Sequence, residues 1–490
     1  MHVAWDFHPA SVGDPDGEFT ASPTVYKNKV FDGNLNGRFY ALDASTGALV
    51  WKYPATGQPL LSQFICNDSG PGIASSAAIA RLWVHWFWLF KRPVTAVIFG
   101  APDPSTCLGS PATCGSGRLW ALDVESGALI WKSDIVATLN GSTQITNPPP
   151  GFTELHERIG YSSPVVHRDK VYVGVSDSCD SPIQRGRLVA VDLHTGGLIP
   201  GFAFDSSGPP RGGGMWSSPV VDHDRIFVTT GNPCTPSDGG CATEPASDYA
   251  NSMLRLDISS GAIFWAFQPL PWSQDQDTDW AATAAVGKTT CGTLVVGTMK
   301  DGWTHALDAS TGAHRWTFPY APVLPFNTPH FGDDYNKPVA IWRDEIFAVT
   351  GGFPVNNPGT STDGYDRLYA LDACTPYVPS DNGRVRWIAD VPGVVYRGQP
   401  TVTNGIVYVG TDAGQFYAIA DPSVAPPVGQ ICNNPLVPNP LCSLFGGQLV
   451  SQPKILAKVP LTGGIRTEAV LARGKVYVGT DAGHLYSLAP

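Results

Sequence analysis

Three aspartates, Asp275, Asp277 and Asp279, alternate with polar residues just before Trp280. Carboxylates this close together repel one another unless they share a cation or a proton. Further along the chain, Lys300 in the phrase Met-Lys-Asp-Gly supplies an ammonium group that could pair with one of them. The pattern therefore has two interpretations: a site that uses paired acid and cation chemistry, or a solvated loop with an ordinary ion pair.

Two other segments carry more polar and aromatic detail than a scaffold requires. Residues 212–219 read Gly-Gly-Gly-Met-Trp-Ser-Ser-Pro, and residues 230–233 read Thr-Gly-Asn-Pro. Successive glycines let the backbone approach another group closely, and Trp216 offers a flat apolar ring. Asn232 offers an amide oxygen, although Asn before Pro is also common in turns. These segments either contact a ligand or form a flexible loop with a core tryptophan and a plain turn.

A repeated phrase indicates the elements that position these residues. Residues 37–51 read Gly-Arg-Phe-Tyr-Ala-Leu-Asp-Ala-Ser-Thr-Gly-Ala-Leu-Val-Trp, and similar phrases recur along the chain. Such recurrence is typical of stacked copies of one supersecondary unit. The eight copies are centred at Asp43, Asp123, Asp192, Asp257, Asp308, Asp372, residues 417–420 and residues 486–489.

Each copy predicts a four-stranded antiparallel sheet. Apolar residues alternate within the phrase as in a strand that buries one face, and Asp-x-x-Thr-Gly is typical of a tight turn. A strand that usually carries Trp follows, two short strands precede, and radial repetition of such sheets is a β-propeller. We therefore expect an all-β, eight-bladed propeller. It would be closed by pairing of the N-terminal strand, residues 3–7, with the last blade, whose edge it covers.

The repeats predict one domain over residues 1–490, although a chain of this length would ordinarily be expected to form about three domains of ~150 residues. Four insertions interrupt the blades, at residues 81–93, 103–117, 233–249 and 421–453. The first is aromatic. It either forms a hairpin packed on a neighbouring blade or exposes a patch for a partner or an apolar substrate.

The ten cysteines predict an oxidising environment. Three pairs lie close together within the later insertions, where a disulfide would stabilise the loop, although buried free thiols are the alternative. We therefore expect a periplasmic or extracellular protein, with no signal peptide recognised at Met1. The pairs are Cys107 with Cys114, Cys234 with Cys241, and Cys432 with Cys442.

The net charge of −11 argues against a nucleic acid or an acidic membrane surface as the main partner. No apolar run reaches the ~18 residues that a spanning helix needs. The Cys-x-x-Cys-His haem attachment motif is absent from the sequence. If the chain catalysed a redox reaction, its electrons would therefore pass to a separate carrier protein.

The repeat resembles that of pyrroloquinoline quinone (PQQ) dehydrogenases, and the resemblance covers nearly the whole chain. Residues 212–219 and 230–233, then Asp279 with Trp280, then Lys300 with Asp301 and Gly302, follow the order seen in that family. The Trp-Ser-Ser-Pro and Lys-x-Gly phrases are most similar to the polyvinyl-alcohol dehydrogenase branch. The resemblance implies an alcohol substrate, polymeric or secondary, and a separate acceptor such as a cytochrome c.

The resemblance also implies roles for single residues. Trp216 would be the floor on which the quinone stacks, and Lys300 would hydrogen-bond its oxygens. Asn232 and Asp279 would bind Ca²⁺, and Asp279 would be the base that takes the alcohol proton. Ala281 stands where lanthanide-using members carry a further acid, which favours Ca²⁺.

The sequence departs from the family at two places. The blade-three loop, residues 176–180, has no Glu to serve as a metal ligand, and Asp177 is the best substitute, with Asp180 second. The adjacent Cys-Cys pair of the family is missing. Arginines for the quinone carboxylates have three candidates, namely Arg118, Arg187 and Arg397.

Two functions of different classes remain open on the sequence. One is a PQQ- and Ca²⁺-dependent alcohol dehydrogenase, favoured by the ordered set of Trp216, Asn232, Asp279 and Lys300. The other is a non-catalytic scaffold that resembles the propeller of the outer-membrane assembly machinery. The missing Glu and the missing Cys-Cys pair favour the scaffold, whose contact surface would be the aromatic insertion at residues 81–93.

Overall fold

The computed structural model describes a set of ranges that together hold most of the chain. They are residues 1–61, 72–85, 91–106, 116–134, 159, 161–176, 183, 186–199, 201–202, 204–205, 212–234, 249–269, 279–280, 282–300, 303–319, 338–350, 367–376, 384–393, 398–432 and 449–490.

These residues are almost all in strands and turns. The strands of the first half are β1 (His2–Phe7), β2 (Thr24–Tyr26), β3 (Lys29–Gly33), β4 (Phe39–Asp43), β5 (Leu49–Tyr53), β6 (Ala78–His85), β7 (Lys91–Asp103), β8 (Ser116–Asp123), β9 (Leu129–Lys132), β10 (Val165–His167), β11 (Lys170–Val175), β12 (Arg187–Asp192), β13 (Phe204–Asp205), β14 (Val220–Asp222), β15 (Arg225–Thr229), β16 (Met253–Asp257) and β17 (Ile263–Phe267). Those of the second half are β18 (Ala285–Thr289), β19 (Gly292–Met299), β20 (Trp303–Asp308), β21 (His314–Pro319), β22 (Ala340–Trp342), β23 (Glu345–Thr350), β24 (Arg367–Asp372), β25 (Val385–Asp390), β26 (Thr401–Thr403), β27 (Ile406–Gly410), β28 (Gln415–Ala420), β29 (Gly429–Cys432), β30 (Leu449–Gln452), β31 (Lys454–Pro460), β32 (Val470–Ala472), β33 (Lys475–Gly479) and β34 (Leu485–Ala489). Two short 3-10 turns, Pro9–Val12 and Pro104–Thr106, interrupt them.

The strands form eight antiparallel blades, as the repeats predict. Blades one to five are β2–β5, β6–β9, β10–β13, β14–β17 and β18–β21. Blade six is β22–β25, blade seven is β26–β28 with β31, and blade eight is β32–β34 completed by β1. The predicted pairing of the N-terminal strand with the last blade is therefore confirmed, and the fold is an eight-bladed β-propeller.

The repeated phrase makes the same turn in blade after blade. In blade four, the Asp257 carboxylate accepts hydrogen bonds from the backbone N–H groups of Ser259 and Ser260 and from the Ser260 hydroxyl. The hydrogen bonds from Ser260 lower the pKa of Asp257, because they stabilise its ionised form. Gly261 follows with φ of 78°, a conformation that favours glycine. The turn chemistry that the sequence predicts is thus present.

Tryptophans of the outer strands join several of the blades to the next one. Trp51 of β5 donates its indole N–H to the Val124 carbonyl at 3.3 Å, and Trp131 of β9 donates to the Leu193 carbonyl at 3.1 Å. A side chain at Gly127, the turn glycine of the next blade, would lie 2.6 Å from the Trp51 ring. The Trp51 ring therefore lies against the Gly127 turn, where only glycine leaves enough space. This contact joins the outer strand of blade one to the repeated phrase of blade two.

The chain divides into two compact units. The first unit is Ala4–Asp275 with Ala482–Ser487, and the second is Gln276–Asp481 with Met1–Val3 and Leu488–Pro490. Within each unit, apolar side chains of adjacent blades form continuous clusters, such as Phe39 stacked on Phe99 with ring centroids 4.0 Å apart. Burial between blades, rather than within one blade, therefore supplies the core.

The insertions take several forms. In the first insertion, residues 81–85 and 91–93 continue the pairing of β6 with β7, with His85 opposite Lys91 and Trp83 47% exposed. Residues 86–90, which hold most of its aromatic side chains, lie outside the described residues. In the last insertion, β29 pairs antiparallel with β30, and β30 pairs in parallel with β25 of blade six. Most of residues 103–117 and 233–249 lie outside the described residues.

One disulfide joins two blades and was not predicted. Cys291, in the turn between β18 and β19, is bonded to Cys374, in the turn after β24. Cys234 is also disulfide-bonded, but its predicted partner Cys241 lies outside the described residues. Cys107, Cys114 and Cys442 also lie outside the described residues, so all three predicted loop pairings stay predictions.

A buried acid pair lies at the junction of blades six and seven. Trp387 donates its indole N–H to a carboxylate oxygen of Asp421 at 2.6 Å, instead of to a backbone carbonyl. Glu345 is 6% exposed and hydrogen-bonded to Asp421, and Arg386 lies 3.3 Å from its carboxylate. Burial, and then the charge of Asp421, raise the pKa of Glu345 to about 7.

Removing one of the indole anchors should destabilise the propeller. We expect Trp131→Ala to lower the free energy of unfolding by about 3–5 kcal/mol, because a buried ring and its hydrogen bond are lost. Calorimetry would measure the change, with the exposed Trp83→Ala as the matched control. Equal unfolding temperatures for the two variants would contradict the anchoring role.

The Glu345 pair predicts a pH dependence of stability with a defined sign. The folded pKa, about 7, exceeds the ordinary value of 4.5, so the native state favours the protonated acid. The contribution of Glu345 is therefore complete below pH 4.5 and is lost as the pH rises through about 7. We expect Glu345→Gln, which stays neutral, to flatten the fall in unfolding temperature over that window. The same slope in both proteins would show that another group titrates.

Candidate functional site

The glycine-rich segment before blade four lies against the loop that follows β15. The Gly213 N–H donates to the Asn232 carbonyl at 2.7 Å, and the Gly231 N–H donates to the Gly214 carbonyl at 2.7 Å. Gly212 has φ of 121°, and a Cβ there would lie 2.7 Å from the Cys234 nitrogen. The close approach that the glycines predict is thus made to the chain's own backbone, and it brings the Trp216 and Asn232 segments together.

Trp216 and Asn232 differ in their exposure. The Trp216 ring is half-buried and packs edge-to-face with Tyr161, with ring centroids 6.2 Å apart. Asn232 is 9% exposed, and its side-chain oxygen is buried. Ser217, next to Trp216, is fixed to the Thr229 hydroxyl at 2.6 Å. Trp216 therefore keeps part of a flat ring accessible on a segment held by backbone and hydroxyl hydrogen bonds.

In the second unit, Asp279 and Lys300 form a buried ion pair. The Lys300 Nζ lies 2.9 Å from the Asp279 Oδ1, and the two residues are 6% and 2% exposed. The Lys300 N–H also donates to the Asp279 carbonyl at 2.9 Å. Charge within a buried pair is held in place by its partner, because breaking the pair would leave an uncompensated charge. A carboxylate and an ammonium group are thus fixed together at the ends of two neighbouring chain segments.

A residue that the sequence did not single out lies behind this pair. The fully buried Trp280 packs against His305 of β20, with ring centroids 5.4 Å apart. His305 is 4% exposed. The signal was present in the repeat, because His305 stands where four other copies of the phrase carry Tyr.

The remaining predicted residues are only partly described. Asp177, Asp180, Asp275, Asp277, Asp301, Ala281 and Arg397 lie outside the described residues. Arg118 is engaged by Asp103 at 2.7 Å, whereas Arg187 is buried at the start of β12. Within the described ranges, no group of three or more His, Cys, Asp or Glu side chains is arranged to hold a metal ion.

The donor types suit the group that the resemblance implies. In one unit Asn232 offers an amide oxygen of the kind that Ca²⁺ takes. In the other unit Asp279 offers a carboxylate, and Lys300 offers a buried cation suited to an anionic, planar quinone. In the part of the chain that is described, no helix is long and apolar enough to cross a membrane.

The chain is similar to proteins of known activity. The polyvinylalcohol dehydrogenase of Sphingopyxis sp. (strain 113P3) is 24% identical over 290 residues, which cover 54% of this chain and 36% of that protein. The quinoprotein glucose dehydrogenase of Gluconobacter oxydans (strain 621H) is 23% identical over 357 residues, covering 66% of this chain and 41% of that protein. The chain thus matches well under half the length of these relatives.

A solved structure shares the fold over the whole chain. A europium-containing methanol dehydrogenase superposes with a TM-score of 0.64 at 18% identity, covering 100% of this chain and 93% of that chain. The PQQ_2 family model, described as outer membrane protein assembly factor BamB, matches residues 115–352 and 300–423. Because these matches span more than half of its length, the chain belongs to the PQQ_2 family.

Proposed function

We propose that the chain oxidises an alcohol with PQQ and Ca²⁺ and passes the electrons to a separate acceptor such as a cytochrome c. The buried Asp279–Lys300 pair carries the proposal, because a fixed carboxylate beside a fixed ammonium is suited to proton removal with charge stabilisation. Similarity to quinoprotein and polyvinylalcohol dehydrogenases supports it.

Each residue has a role in this proposal. Asp279 accepts the hydroxyl proton of the alcohol, while Lys300 holds the carboxylate in place and donates to anionic oxygens of the cofactor. Trp216 provides a flat surface for stacking, and Asn232, Asp279 and Asp177 supply oxygen ligands for Ca²⁺. PQQ, when bound, would supply the two-electron acceptor for the alcohol, and Ca²⁺ would supply a Lewis acid beside it. A disulfide-bonded protein with these relatives suits a periplasmic or extracellular location.

A second function is supported by the family description. The matching model is named for an outer membrane assembly factor, and the β6–β7 hairpin presents Trp83 at 47% exposure with Arg81 near its ring. This candidate is a non-catalytic scaffold that contacts another protein through that hairpin. The two functions differ in one measurable property, because only the first requires PQQ binding.

Titration of the metal-stripped protein with PQQ distinguishes them. We expect saturable quenching of tryptophan fluorescence that requires Ca²⁺ and is lost in Trp216→Ala, because stacking on that ring contributes to binding. Trp83→Ala is the matched control and should titrate like the unmodified protein. Absence of binding at tens of micromolar PQQ would refute the dehydrogenase and favour the scaffold.

Turnover tests the proposed base. We expect Asp279→Asn to lower kcat by about 10²- to 10⁴-fold, the usual contribution of a positioned general base. The assay would use an artificial electron acceptor and a series of alcohols. Asp14→Asn breaks another ion pair of a buried aspartate, with Lys52 at 2.8 Å, and serves as the control for destabilisation alone. Unchanged kcat in a folded Asp279→Asn protein would remove Asp279 from the reaction.

A further inference from the structure

Blade five differs from four other blades at one position of its third strand. The residue before the central Ala of the phrase, or before Ser487 in blade eight, is Tyr in four blades: Tyr40, Tyr369, Tyr417 and Tyr486. Blades two to four carry Trp120, Val189 and Leu254 there. In blade five it is His305, and the residue opposite on the second strand is Gly297. The corresponding residues opposite Tyr40, Tyr369 and Tyr417 all carry side chains. Blade five therefore combines a shorter ring with a missing neighbour, which leaves space on that face of the sheet.

The tyrosines show what would otherwise occupy that space. The Tyr40 hydroxyl lies 3.0 Å from the Asp14 carboxylate, and the Tyr417 hydroxyl donates to the Pro392 carbonyl at 3.4 Å. Asp14 and Pro392 both belong to the segment that leads into the first strand of the same blade. In blade five the corresponding segment contains Asp279 and Trp280.

Trp280 lies where His305 leaves room. The indole is fully buried, its ring centroid is 5.4 Å from that of His305, and the two planes are inclined at 55°. A phenol at position 305 would extend beyond the imidazole by a hydroxyl group toward this segment. Close-packed interiors rarely accept added atoms without a shift of the neighbour, so the indole would have to move.

The position of Trp280 determines that of the ion pair. Trp280 is joined by one peptide bond to Asp279, whose carbonyl and carboxylate both bind Lys300 at 2.9 Å. A buried indole cannot shift without carrying the adjacent backbone. His305, Trp280, Asp279 and Lys300 thus form one continuous packed series within the second unit.

We propose that His305 is a positioning residue, whose imidazole admits Trp280 and thereby holds Asp279 against Lys300. Its role in packing is independent of any cofactor. Its effect on turnover rests on the proposed function.

The packing is tested by the reactivity of Lys300 in the cofactor-free protein. Acetylation followed by mass spectrometry would measure the labelling rate of Lys300 against Lys288, an exposed lysine of the same blade. We expect His305→Tyr to raise the Lys300 rate about tenfold or more, and His305→Phe, which lacks the hydroxyl, to change it less than about threefold. Tyr417→His makes the reverse exchange in blade seven and should leave Lys300 protected.

The outcomes separate the two claims. If His305→Tyr leaves Lys300 protected in a protein that unfolds at the ordinary temperature, the positioning role is wrong. If His305→Tyr does not fold, Trp280→Phe decides, because a smaller ring should likewise expose Lys300, and continued protection would overturn the proposal.

With PQQ, Ca²⁺ and an alcohol, His305→Tyr should lower kcat about tenfold or more with KM little changed. Absence of turnover in every variant, including the unmodified protein, would reject the dehydrogenase while the labelling result stands.

Discussion

The structure depends on one recurring hydrogen bond between neighbouring blades. A side chain of one blade donates to a backbone carbonyl of the next blade, that of the residue after the turn aspartate. Trp5, Trp51, Trp131 and Trp316 donate to the carbonyls of Ala44, Val124, Leu193 and Ala373. A buried carbonyl without a donor is costly, so a blade lacking this tryptophan needs a substitute. Blade three supplies one from its second strand, where the Tyr172 hydroxyl donates to the Ile258 carbonyl at 2.8 Å.

This anchor fixes the spacing of the blades, and the segments at the other ends of the strands inherit their positions from it. The Gly212 loop binds the Asn232 loop, and Asp279 binds Lys300, in each case across the start of a blade and the end of its second strand. Each of the two segments is therefore held, within its own unit, by backbone or charge pairing on a scaffold whose rigidity arises elsewhere. The anchors recur in blades one, two, three, five and eight, so they belong to the scaffold, and function on this fold depends on those segments.

Features that depend on neighbouring residues could be predicted from the sequence. The Asp257 turn, the eight copies and the closure by β1 follow from local chemistry and repetition. Features that depend on contacts between distant residues could not. Tyr172 has the same pattern as any core residue of a strand, and nothing near it indicates that its hydroxyl reaches a carbonyl 86 residues away. At the site, the sequence suggested the Lys300 ion pair and the close approach at Gly212. It did not indicate that the approach is made to Asn232, nor that Trp280 packs on His305.

The bond between Cys291 and Cys374 has a consequence for the integrity of the chain. It closes a covalent loop with a sequence separation of 83, and that loop contains Lys300 and His305. Hydrolysis of any single peptide bond between the two cysteines therefore leaves the products joined as one molecule. A protease that nicks this part of the polypeptide would release no fragment until a reductant is present. Damage of this kind would be invisible to any measurement of molecular mass made under non-reducing conditions, apart from the added water.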